Sequence, residues 1–133
     1  MRIFIDTSAL IAFMNQDDEF HKDSFKIFSQ LLAQRSKIII SNYILLETMV
    51  ILKNRIGIEA VKVLKNDILP VIQTCWVDEE MHNFCLNAQI AFGRQKISFV
   101  DYTSFEIMRR LDIKQAFTFD SHFKDMGFEI LNG

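Results

Sequence analysis

Four acidic side chains stand at places where chemistry could be assembled. Asp6 ends the apolar run Ile3-Phe4-Ile5, and Asp120 ends the run Ala116-Phe117-Thr118-Phe119. Glu47 is the only charge in the stretch from Tyr43 to Leu52, and Asp101 lies three residues after Ser98. Two carboxylates brought to about 4 Å repel by on the order of 4 kcal/mol at an effective dielectric of about 20. Four together cannot all stay ionised unless a cation sits among them. Carboxylate oxygens select a hard ion, Mg2+ or Mn2+. One or two such ions can polarise a phosphodiester, activate water and stabilise the leaving oxygen.

Each acid also has a plainer role open to it. Asp6 and Asp120 could be turn or helix-capping residues. Ser98-x-x-Asp101 has the form of a capping box. Glu47 is harder to explain that way. Its helical neighbours at three and four residues are Tyr43, Ile44, Val50 and Ile51, so its helix reads as buried on most sides. An ionised carboxylate there needs a partner or a metal, unless it reaches solvent at the helix edge. Thr118, two before Asp120, shares its side of a strand. Of the histidines, His21 and His82 fall in expected helices with no ligand partner at helical spacing. His122, two after Asp120, could touch a substrate but reads first as a solvated turn residue. Arg94, Lys96, Arg109, Arg110 and Lys114 are the basic candidates for phosphate contact.

The elements that must position these groups follow from periodicity and end signals. Expected strands are Arg2–Ile5, Lys37–Ser41, Val71–Val77, Ala116–Phe119 and Phe128–Leu131. A first helix, capped by Thr7 or Ser8, covers Ala9 to Met14. A second covers Glu19 to Arg35, with Phe20, Phe25, Phe28, Leu31 and Leu32 as its apolar stripe. A third, capped by Ser41 or Asn42, runs to Ile56 and ends at Gly57. A fourth runs from Ile58 to Leu69, where Pro70 stops it. Asp78 caps a fifth through Phe92, ended by Gly93, and Ser98 opens a sixth to Leu111. A short helical piece is expected around His122 to Met126. Strands that are continuous apolar runs, alternating with helices, imply a parallel sheet covered on both faces. Ligands of such sheets sit beyond the carboxyl ends of the strands.

Composition narrows the class. The chain has 133 residues, half of them hydrophobic, with 13 Phe and one Pro. That fits one domain over residues 1–133 with its own core, and excludes a disordered or linker-rich chain. The net charge of -2 carries no global basic signal for nucleic acid. Setting aside the four acids, which would belong to an ion, leaves the remainder mildly positive, as suits a phosphate-backbone substrate. Cys75 and Cys85 match no zinc or disulfide-exchange spacing and read as small buried thiols, which fits a reducing cytoplasm. Neither a signal peptide nor a membrane span is expected.

Taken in order, these residues resemble a known family. Ile5-Asp6-Thr7-Ser8-Ala9-Leu10 is similar to the opening motif of PIN domains. Ser41 to Glu47 resembles their second motif, Ser98-Phe99-Val100-Asp101 the third, and Thr118-Phe119-Asp120-Ser121-His122-Phe123 the fourth. Each motif alone is weak, but the four in order are specific and span essentially the whole chain. The resemblance implies a three-layer α/β/α sandwich with a central parallel sheet, and metal-dependent cleavage of single-stranded RNA. It carries over Asp6, Glu47, Asp101 and Asp120 as the acidic residues, with no departure at any of them, and Ser8 and Thr118 as supporting hydroxyls. Single-domain members of this length resemble VapC-type toxins, which are homodimers held inactive by an antitoxin. The alternative is a PIN-like module that binds RNA or protein without turnover. A phosphotransferase of the haloacid dehalogenase type would need a second Asp where Ser8 stands. A phosphoacceptor receiver domain would need an acidic pair after the first strand and has no place for Glu47.

Overall fold

The computed structural model describes residues 1–94 and 96–133. Five parallel strands form one sheet: β1 (Arg2–Ile5), β2 (Lys37–Ser41), β3 (Gln73–Cys75), β4 (Gln115–Phe117) and β5 (Glu129–Leu131), in the order β3-β2-β1-β4-β5. Successive residues of a strand point to opposite faces. Ile3, Phe4 and Ile5 are all fully buried, as are Ile38, Ile39 and Ile40 to within a few percent, so both faces of the central strands are covered. This is the parallel α/β architecture that the apolar runs predict.

The helices are α1 (Thr7–Met14), α2 (His21–Ala33), α3 (Asn42–Arg55), α4 (Ile58–Val63), α5 (Glu79–Phe92), α6 (Phe99–Arg110) and α7 (His122–Asp125). Local end signals account for several boundaries. The Ser41 hydroxyl accepts from Ile44 N at 3.0 Å, and the Asp78 carboxylate accepts from Met81 N at 2.9 Å. Gly93 closes α5 at φ 60°, in the left-handed region that favours glycine. The α6 helix is buried from Asp101 through Met108.

Several expectations need correction. Helix α1 starts at Thr7, with Asp6 at the N-cap, and Asp6 makes no side-chain cap bond because its carboxylate is engaged elsewhere. The stripe of α2 is Ser24, Ile27, Phe28 and Leu31, whereas Phe25 and Leu32 are 55% and 42% exposed. Phe25 instead lies over Phe13 as a stacked ring. The expected fourth helix changes pitch: α4 gives way to a π-helical turn over Leu64–Ile68 and a 3-10 turn over Leu69–Val71. Pro70 sits inside that last turn, where its missing N–H costs little. Strand β3 is three residues long, and β4 ends at Phe117, so Asp120 follows it by three residues and not one. Helix α3 is not buried on most sides, since Leu46 and Val50 are 60% and 51% exposed. Cys85 is buried and Cys75 half-buried; both are free thiols. Among the described residues no helix is long and apolar enough to cross a membrane.

The sheet order has a consequence for function. From β1 the chain moves outward through β2 and β3, then returns to the other side of β1 for β4 and β5. The reversal opens a crevice at the carboxyl ends of β1 and β4, the place where open parallel sheets bind ligands.

Candidate active site

An open cleft of about 530 Å³ lies at that crevice. Its walls include Asp6, Glu47, Asp101 and Asp120, which come from the end of β1, the middle of α3, the first turn of α6 and the segment before α7. Residues separated by up to 114 positions in the chain are thus gathered at one sheet edge.

Asp6 is the most tightly built of the four. It is only 5% exposed. The Ser8 hydroxyl donates to Asp6 Oδ2 at 3.0 Å, and the Thr118 hydroxyl donates to the same oxygen at 3.0 Å. Phe119 N–H in turn donates to Ser8 Oγ, and Asp120 N–H donates to Thr118 Oγ1, each at 3.0 Å. The two hydroxyls therefore tie the turn after β1 to the segment after β4. Burial, followed by the charge of Asp101, pushes the Asp6 carboxyl up from 3.8 to about 6, against the pull of the Ser8 and Thr118 hydrogen bonds. A carboxylate this costly to ionise is a good fit for a cation.

Asp101 makes the capping bonds that its position suggested and also lines the cleft. Its backbone N–H donates to Ser98 Oγ at 3.1 Å, and Ser98 N–H donates to its Oδ2 at 3.3 Å, closing a capping box. The same Oδ2 faces His122 Nδ1 at 3.2 Å. Burial raises the Asp101 carboxyl above its ordinary range, and the hydrogen bonds from His122 and Ser98 oppose this.

His122 is the residue that sequence reasoning passed over as a turn residue. Its Nδ1 also lies 3.2 Å from Asp120 Oδ1, and its backbone N–H donates to that oxygen at 2.9 Å. One ligand atom each from Asp101, Asp120 and His122 falls within a span of 4.8 Å. The spacing of His122 two after Asp120 was the available signal, but its approach to Asp101, 21 residues away, was not legible.

The basic residues sort differently from expectation. Lys96 lines the cleft, and so does Arg55, which the sequence reading did not single out. Arg94 does not line the cleft. Arg109 lies in the last turn of the helix that Asp101 begins, and its guanidinium donates to the buried Glu106 at 2.9 and 2.5 Å. Arg110 donates to Glu106 at 2.6 Å and to Glu80. A carboxylate as buried as Glu106 requires such partners, so both arginines serve that acid and not the cleft. Phe20 and Phe119 stack along the cleft wall with centroids 4.5 Å apart and planes 6° from parallel.

A family model of the PIN domain matches residues 3–129. The chain belongs to the PIN domain family. It is 29% identical over 127 residues to the 23S rRNA-specific endonuclease VapC20 of Mycobacterium tuberculosis, covering 95% of each chain. The crystal structure of that protein, described as a Sarcin-Ricin loop cleaving toxin, matches with a TM-score of 0.81 at 30% identity, again over 95% of both chains. FitAcB from Neisseria gonorrhoeae and VapBC2 from Rickettsia felis share the fold, each with a TM-score of 0.72 at 13% identity and over nearly the full length of both chains.

Proposed function

We propose that the protein is a metal-dependent endoribonuclease that cleaves single-stranded RNA and acts as the toxin of a toxin–antitoxin pair. The observation that carries this reading is the meeting of Asp6, Glu47, Asp101 and Asp120 in one cleft at the sheet edge. These four, as catalytic and metal-holding residues, would take up Mg2+ or Mn2+. The donor chemistry fits such an ion: oxygen-rich and partly buried.

When bound, the ion would supply positive charge to the scissile phosphate and to the attacking water. The chain's own residues supply position. Ser8 and Thr118 hold one oxygen of Asp6 in place. The capping box fixes Asp101 on a helix buried around its circumference. Lys96 and Arg55 provide cations at the cleft for the phosphate backbone. The Phe20–Phe119 stack offers a flat apolar wall against which an unpaired base can lie. Replacing Phe20, which is 37% exposed, with Ala is expected to raise KM for RNA roughly 5- to 100-fold with kcat little changed, on the scale of one base–aromatic stack. Steady-state kinetics that show an unaltered KM would remove the stacking role.

Purified protein is expected to cut RNA only with Mg2+ or Mn2+, and to stop on addition of chelator. Attack by water with the 3′ oxygen as leaving group, as the family resemblance implies, leaves a 5′-phosphate and a 3′-hydroxyl. 23S rRNA is the first substrate to offer, by likeness to VapC20. Co-expression of a small DNA-binding protein from the neighbouring reading frame is expected to suppress cleavage. Cleavage that resists chelator, or products with 2′,3′-cyclic ends, would overturn the mechanism. Intact RNA under all conditions would favour the binding-module reading.

Self-association belongs to the same proposal. Between Glu47 and Leu69, Val50, Ile58 and Val63 are 51%, 54% and 44% exposed, an apolar set that a second copy could cover. Sedimentation at micromolar concentration is expected to show a homodimer, and Val50→Asp to weaken it. A clean wild-type monomer would count against the dimer.

A further inference from the structure

The acids of the cleft do not stand alone. His122 Nδ1 lies 3.2 Å from Asp101 Oδ2 and 3.2 Å from Asp120 Oδ1. The ring is held there from two sides. Its backbone N–H donates to Asp120 Oδ1 at 2.9 Å. Its neighbour Phe123 is fully buried, packed edge-on to Phe105 with centroids 5.0 Å apart and tilted against Phe4. That anchor ties the start of α7 to the core, so His122 is presented by the fold and not by a free loop.

Adjacent ligands of a six-coordinate ion with bonds of about 2.1 Å lie about 3 Å apart. Both nitrogen–oxygen distances at His122 are close to that spacing. We propose that His122 is a nitrogen ligand of the catalytic ion, alongside Asp101 and Asp120, and that it biases this site toward Mn2+ over Mg2+. As a ligand, the neutral ring would carry its hydrogen on Nε2 and offer the Nδ1 lone pair to the ion. Magnesium prefers oxygen and keeps its waters, whereas imidazole is a good donor to first-row transition ions. An all-carboxylate site lacks that source of discrimination. The inference rests on the metal-dependent reading above and adds a donor and a preference to it.

Pulsed electron paramagnetic resonance on the intact protein loaded with Mn2+ is the direct test. A 14N coupling of the size given by a directly bound imidazole is expected in wild type. It should vanish in His122→Asp, which substitutes an oxygen donor and still binds Mn2+. Calorimetry with each ion alone should show the ratio of Mn2+ to Mg2+ affinity falling roughly tenfold or more in that variant. Mn2+ bound to wild type without nitrogen coupling would overturn the inference and leave the acidic site standing, because His122 would then be only a hydrogen-bonding neighbour. An unchanged affinity ratio in a folded His122→Asp protein would overturn the preference. Failure of wild type to bind either ion would overturn the metal site itself and this inference with it. The wild-type spectrum decides the question even if the variant does not fold.

Discussion

Asp6→Asn is expected to lower RNA cleavage by roughly a thousandfold or more while making the metal-free protein more stable at pH 7.5. The loss of activity follows from removing a charge that would hold the ion, an interaction worth several kcal/mol at the transition state. The gain in stability follows from burial. Asp6 is 5% exposed, and its carboxyl is pushed up from 3.8 to about 6. Asn has nearly the same shape, and its carbonyl can still accept from Ser8 and Thr118. It removes the desolvated charge and its repulsion with Asp101. The native state binds the Asp6 proton more tightly than the unfolded chain does, so this group's contribution is fully present below about pH 4 and is lost as pH rises through about 6. The difference corresponds to about 3 kcal/mol. Melting curves of wild type and Asp6→Asn from pH 4 to 8, in chelator, should therefore converge at the acid end and separate toward neutrality, with the variant higher. Parallel curves, or a variant that melts lower at pH 7.5, would mean that Asp6 is not a repelled carboxylate.

Metal should reverse that pattern in the wild type. At pH 7.5, Mg2+ or Mn2+ at a hundredfold excess over its dissociation constant stabilises by about 2.7 kcal/mol. For a chain of this size that is a rise in melting temperature of roughly 10 °C. The rise should shrink below about pH 6, where a proton occupies Asp6 and competes with the ion. Asp101→Asn tests the double role of the α6 helix start. The amide can still accept from Ser98 N–H, so the capping box survives in form. Loss of the charge near a helix N-terminus costs up to about 1 kcal/mol. Relief of a carboxylate whose ionisation burial already opposes offsets that cost. The metal-free variant is accordingly expected to melt close to wild type, and its metal-induced rise to shrink. A strongly destabilised Asp101→Asn whose parent ignores both ions would show that Asp101 is a helix cap and nothing more.

Much of the site can be read from residue order because its framework is local. Apolar triplets such as Ile3-Phe4-Ile5 and Ile38-Ile39-Ile40 commit the backbone to buried strands, and in a parallel sheet the residues after strand ends share one edge. That places Asp6 and Asp120 near each other before any coordinates exist. Ser41, Asp78 and Ser98 cap their helices through bonds spanning three residues, so these boundaries are set by nearest-neighbour chemistry. What the tertiary structure decided depends on which side of each helix meets the sheet and on contacts between residues far apart in the chain. The apolar surroundings of Glu47 suggested burial, yet packing leaves Leu46 and Val50 in solvent and turns Glu47 toward the cleft. Arg109 was free to reach phosphate until folding buried Glu106 one turn away, and a buried carboxylate claims the nearest guanidinium. His122 sits among the acids because Phe123 fills a gap between Phe4 and Phe105. Spacing along the chain carries no record of that gap, since its shape is the sum of side-chain volumes from three separate elements.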